Sequence, residues 1–275
     1  MKRPFVVLAA AFGAAALSAA APSLVKKWET EPTLKVPESV LVDARRGILY
    51  VSNIDGEPWA DDQKGSIGKL GFDGKVIATD WVNGLSAPKG MALQGSKLYV
   101  GDIDRVVVVD VEKGAIVDRI PVAGAHGLND VAVDAKGVVY VSDSKDKKIY
   151  TITDGKAAVL VDGLKGPNGV HVYDGQFYFL DNGSLYRLGK NHEKQLVSAG
   201  MEGNGDGLES DGKGGFVITY WPGIIHYAGA DGSRETLLDT SKEKISSADI
   251  GFDAKTRTVY VPTFGRNTVV AYELK

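Results

Sequence analysis

Residues 166–183, GPNGVHVYDGQFYFLDNG, set an apolar strand pattern directly behind Asn168, a residue type that strands disfavour. VHVY and QFYFL are rich in β-branched and aromatic residues, and the Asp-Gly step between them is the chemistry of a tight hairpin. The phrase recurs. PESVLVDARRGILYVSN, PKGMALQGSKLYVGD, LNDVAVDAKGVVYVSD, GDGLESDGKGGFVITY and SADIGFDAKTRTVYVPT repeat it with variation. Aligned on Glu38, Lys89, Asn129, Asn168, Asp206 and Ala248, the six copies start roughly 40 residues apart after a longer first interval, a period of propellers and solenoids.

Each copy has room for two further strands, such as KIYTIT and AAVLVDG after the third, or SLYRLG and EKQLVSAG after the fourth. Four strands per copy make a propeller blade. The sequence therefore predicts an all-β, six-bladed β-propeller over residues 21–275, with four antiparallel strands per blade and no helix of ordinary length. A solenoid has the wrong strand count, and a β-sandwich does not explain similar units of equal size. The sixth copy ends one strand short, while LVKKWETEP before the first copy has no blade of its own. The N-terminal strand is expected to close the last blade and cover its edge. The long first interval reads as an insertion, DGEPWADDQKGS at 55–66, which either sits at the mouth of the ring or is a tolerated surface loop.

Composition narrows the partners. The chain has 275 residues, 44% of them hydrophobic, 34 glycines and a net charge of −3, with no dense Lys/Arg stripe to suit nucleic acid or an anionic membrane. Lys2 and Arg3 precede an apolar run from Phe5 to Leu17 and then small residues, the order of a secretory signal; cleavage is expected after Ala20. The run is too short and too rich in Ala and Gly for an anchor. The mature chain is thus expected in a bacterial periplasm or outside the cell, away from membranes, as a monomer. Without cysteine it has no disulfides, and its stability must come from burial and ring closure.

In a propeller the innermost strands line a central channel, so their leading residues converge. Glu38, Asn129, Asn168 and Asp206 would bring two carboxylates and two amide oxygens together, a hard-donor set suited to Ca²⁺ with waters completing the shell. Each residue alone is ordinary turn chemistry; their shared place in the repeat makes the set. In the second blade Lys89 either pairs with Glu38 or Asp206, competes with a cation or replaces it, binds a substrate carboxylate or steadies an oxyanion as a catalytic group, or points away. In the sixth, Ala248 or its neighbour Asp249 takes the position.

VPESVLVD, LNDVAVD, PNGVHV and GDGLESD resemble the senescence-marker-protein-30/gluconolactonase (SMP-30-like) family, with paraoxonases and strictosidine synthase-like proteins as more distant relatives. The resemblance implies ligation of a divalent metal, Ca²⁺ or alternatively Zn²⁺ or Mn²⁺, by Glu38, Asn168 and Asp206, with Asn129 as a further ligand or substrate contact, and hydrolysis of a small lactone or ester. Asp206 is the candidate base. Where some members carry an arginine two residues before the third-blade asparagine, this chain has Gly127, so the resemblance carries no substrate preference over. His126, in AGAHGLND, is a further candidate proton carrier, or a solvated loop histidine; His171 is expected to pack in the core. Aromatics in YWPG (220–223) and PTFG (262–265) either wall a pocket or cap the sheet. No serine-elbow, phosphate-loop or dinucleotide motif is present. The rival expectation is a non-catalytic periplasmic propeller that binds a small ligand or a protein partner.

Overall fold

Twenty-four strands form six four-stranded antiparallel sheets in the computed structural model, which describes residues 21–201, 203 and 205–275. The expected leader, residues 1–20, lies outside the described residues. Five blades are built from consecutive strands, and the sixth is completed by the N-terminal strand Leu24–Glu29. That strand runs antiparallel to Val269–Leu274, from Leu24 opposite Leu274 to Glu29 opposite Val270, so the last blade gains its outer strand from the start of the chain. The helical content of the described residues is a single 3₁₀ turn, Phe264–Arg266.

Six apolar clusters hold the ring, one in each junction between adjacent blades. In the junction of blades six and one, for example, Val40, Leu49 and Val51 pack on Tyr260, Val269 and Ala271. This follows from strands whose faces are both covered by neighbouring blades, which is why VVVVD and LYVGD read as continuous apolar runs. The hairpin inside the fourth blade turns on Asp174 and Gly175, both with positive φ of 49° and 67°, as the Asp-Gly step predicts.

The Asn168 puzzle resolves as a β-bulge. Pro167 pairs with Asp181 and Val170 with Phe179, so Asn168 and Gly169 together face one residue of the partner strand. The same shift follows Pro88, Leu128 and Gly205, with a related one after Pro37. A bulge bends the strand and re-aims its side chains, and it turns the leading residue of each inner strand toward the axis. Hydroxyls on the second strands receive the freed N–H groups: Ser52 accepts from Ser39, Ser142 from Asp130 and Thr219 from Gly207. Glycine follows the leading residue in three blades because a Cβ there would strike the next inner strand, at 2.5 Å from the Asp130 Cα for Gly90 and 2.6 Å from the Ile250 nitrogen for Gly207.

Candidate functional site

Five leading residues, Glu38, Lys89, Asn129, Asn168 and Asp206, line one cavity of about 300 Å³ at the end of the channel. Pro58, Trp59, Gly205, Trp221 and Phe264 complete its walls. The sixth-blade residue does not join them: Ala248 is fully buried, and Asp249 lies further along the channel.

The amide groups are fixed by what their nitrogens do. Asn129 Nδ2 donates to Ser144 Oγ at 3.1 Å, and that hydroxyl donates on to the Pro167 carbonyl at 2.8 Å. Asn168 Nδ2 donates to Asp206 Oδ1 at 2.9 Å. Both amide oxygens are left buried without a donor among the described residues, and so is Glu38 Oε2. Buried acceptors are nearly always satisfied, because an unmade bond costs the full desolvation of the group. Three such oxygens from three blades line one cavity, and by donor type they are the atoms that could hold a hard divalent cation. Among the described residues no three His, Cys, Asp or Glu side chains gather to hold a metal, so any such site here depends on the amides.

Electrostatics agree. Burial pushes the Glu38 carboxyl well above the usual carboxylate range, the Lys89 charge opposing and the Asp206 charge adding. Burial lifts Asp206 to about 6, held down by the Asn168 hydrogen bond and by Lys89. Two acids share the site with one ammonium, and burial in turn lowers the Lys89 pKa.

Lys89 points into the cavity and is 3% exposed. Its Nζ donates to the Pro58 carbonyl at 2.9 Å and lies 4.5 Å from the Trp59 ring, and it forms no ion pair among the described residues. The 55–66 insertion therefore does reach the mouth. It is pinned there by Asp61, which accepts from Ser86 Oγ and pairs with Arg105 at 2.9 Å. Trp221 and Phe264, from YWPG and PTFG, meet edge to face with centroids 4.3 Å apart and wall the opposite side over blades five and six.

His126 does not belong to this site. Its side chain is exposed and bonds Asp146 through Nδ1 at 2.7 Å, because its backbone N–H is held by Asp143 in the loop outside the cavity. Sequence reasoning also missed Lys145, whose Nζ lies 4.6 Å from the centroid of the same Trp59 ring. Its stem runs over Gly127, where a Cβ would come within 2.6 Å of Lys145 Cγ. The lack of a side chain at 127 was the available signal.

Further along the channel Asp130, His171, Glu209 and Asp249 line a second cavity of about 180 Å³. His171 thus faces the channel rather than packing in the core; burial lowers it to about 4. Asp249 accepts from Ser39 Oγ at 2.5 Å, and Asp130 accepts from the Val131 and Val170 N–H groups at 2.7 and 2.6 Å. Burial raises Asp249 to about 7, the Ser39 bond opposing and the Asp206 charge adding.

Comparison of whole folds places this geometry among known propellers. A structure described as a "putative gluconolactonase" superposes with a TM-score of 0.69 at 15% identity, covering 94% of this chain and 93% of that one. In fold, this chain is similar to that structure. A streptogramin B lyase gives 0.67 at 13% identity over 93% of this chain and 98% of its own. Virginiamycin B lyase from Staphylococcus aureus, as an inactive histidine-to-alanine variant with quinupristin, gives 0.64 at 13% identity over 93% and 99%. No family model matches the sequence, and no curated protein matches it. The likeness is one of fold, shared with propellers that include enzymes.

Proposed function

We propose that the protein is an exported, metal-dependent hydrolase that opens a small lactone or ester in the cavity lined by Glu38, Asn129, Asn168 and Asp206. The observation that carries this reading is the trio of buried, donorless oxygens, Glu38 Oε2, Asn129 Oδ1 and Asn168 Oδ1. These residues and Asp206 would hold a divalent cation, Ca²⁺ by donor type, which supplies Lewis acidity toward a carbonyl. With Asn168 bonded to Asp206 Oδ1, the second carboxylate oxygen is the one that would either ligate the cation or take a proton from water. Trp221, Phe264 and Trp59 narrow the space to a small, partly apolar substrate and limit bulk water.

Hydrolysis is favoured over the lyase activity named for two of the similar structures. One of those lyases is inactivated by replacing a histidine with alanine, whereas none of this chain's four histidines lines the cavity. A purely binding role finds support in Lys89, a cation where a cation site is expected. Metal analysis of the purified protein, then a panel of lactones and aryl esters with and without added Ca²⁺, Mn²⁺ or Zn²⁺, separates the two. Metal-stimulated turnover that disappears in Asp206→Ala supports the hydrolase; full activity in Asp206→Ala rules out its mechanism, and no metal-dependent turnover favours binding alone.

A further inference from the structure

We propose that the cavity selects substrates that carry a carboxylate on a small apolar body, with the Lys89 ammonium as its docking point and Lys145 reinforcing it from across Trp59. The inference deepens the hydrolase reading and rests on it for the bond that reacts.

An ammonium has three donors, and Lys89 spends one on the Pro58 carbonyl. The others belong to a side chain that is 3% exposed and faces the cavity. Its counter-charges lie across the same cavity: Glu38 and Asp206 act on it through space, without a direct contact within 4.0 Å. Both are in the cradle proposed for a cation. Once a divalent ion takes them up, two negative charges face three positive ones, and Lys89 is left as a buried cation without an anion. Such a charge is costly unless paired and hydrogen-bonded. A carboxylate entering with the substrate supplies that pair.

The surroundings are consistent with one orientation. Lys89 and Lys145 approach the Trp59 ring at 4.5 and 4.6 Å, which gathers positive charge on the side of blades two and three. Neither lysine forms an ion pair among the described residues. Trp221 and Phe264 form an apolar wall over blades five and six. A substrate with an anionic end and an apolar flank would lie between them, with its remaining carbonyl over the oxygen cradle.

The test uses matched probes. Cyclopentanecarboxylate and cyclopentanecarboxamide, which cannot be hydrolysed as lactones, are titrated calorimetrically into the full chain with Ca²⁺ and with chelator; a γ-butyrolactone carboxylate and its carboxamide then report turnover. A charge-assisted bond in a buried site predicts binding of the carboxylate about 10-fold tighter or better. That preference should fall to near parity in Lys89→Met, survive in Lys89→Arg, and weaken by about 3-fold in Lys145→Met, where the charge is exposed and screened. Equal affinity for both probes, no binding of either, or a carboxylate preference that persists in Lys89→Met overturns the inference. Turnover of both lactones with equal kcat/KM leaves the hydrolase standing without it. Lys89-dependent carboxylate binding with no turnover of any ester leaves the anion site standing without the hydrolase.

Discussion

The two ends of the channel are built from the same inner strands and both bury acids, yet they differ in how those acids are held. At the far end Asp249 is bonded by Ser39, and Asp130 by two backbone N–H groups of blades three and four, so these carboxyls tie strands together. At the near end Glu38 and the two asparagines keep oxygens that nothing among the described residues satisfies. Buried carboxylates alone are therefore a poor guide to chemistry. The telling feature is an acceptor whose neighbours have been spent on orienting it rather than on bonding it.

The contrast can be broken most sharply by activity. Asp206→Asn and Glu38→Gln should each lower kcat/KM for the best ester by about 1,000-fold, within the range general-base and Lewis-acid losses reach, whereas Asp249→Asn should stay within about 3-fold. The reverse pattern would move the site to the far end. Next in size is the effect of the ion on stability. At about 100 times its dissociation constant Ca²⁺ should add about 2.7 kcal/mol, a rise in melting temperature of about 5–10 °C for a domain of this size. Scanning calorimetry should find the rise in the wild type and in Asp249→Asn but not in Asp206→Asn.

A smaller effect isolates the orienting bond. Ser144→Ala removes the acceptor of Asn129 Nδ2 and should weaken Ca²⁺ binding by about 10-fold, as loss of a supporting bond around a metal typically does. Titration calorimetry would show it, and unchanged affinity would mean that Asn129 is not held for a ligand. The last effect, a trend of stability with pH, comes from Asp249. Its folded pKa of about 7 lies above that of an unfolded aspartate, so the folded state binds the extra proton. Its contribution is full at low pH and is lost as pH rises through about 7. The urea midpoint of the wild type should therefore drop across that window, and Asp249→Asn should flatten the drop.

Much of this was legible in the residue order. The repeat declared six blades, the stranded ends declared the closure, and the four oxygen donors stood at matching places because each opens an inner strand. The far end was not legible. Alternation predicts which face a residue takes, but the bulges after Pro88, Leu128, Pro167 and Gly205 shift that count, and His171, expected in the core, faces the channel instead. His126, read from the sequence as either a proton carrier or a solvated loop histidine, has an exposed side chain paired with Asp146, a contact that proximity to Asn129 in the sequence does not encode. The meeting of Trp59, Lys89 and Lys145 joins three blades, and no local pattern encodes such a meeting.

The closure of the sixth blade carries a kinetic implication. Thr30 Oγ1 accepts from the Val269 N–H across 239 residues of chain, next to the pairing that seals the sheet. The opening segment must wait, with its ladder unmet, until nearly everything else has been made and ordered, so docking of Leu24–Glu29 should be the late, slow phase of refolding. Shortening the chain to remove those six residues would leave a ring with a bare rim and a tendency to stick to its own kind.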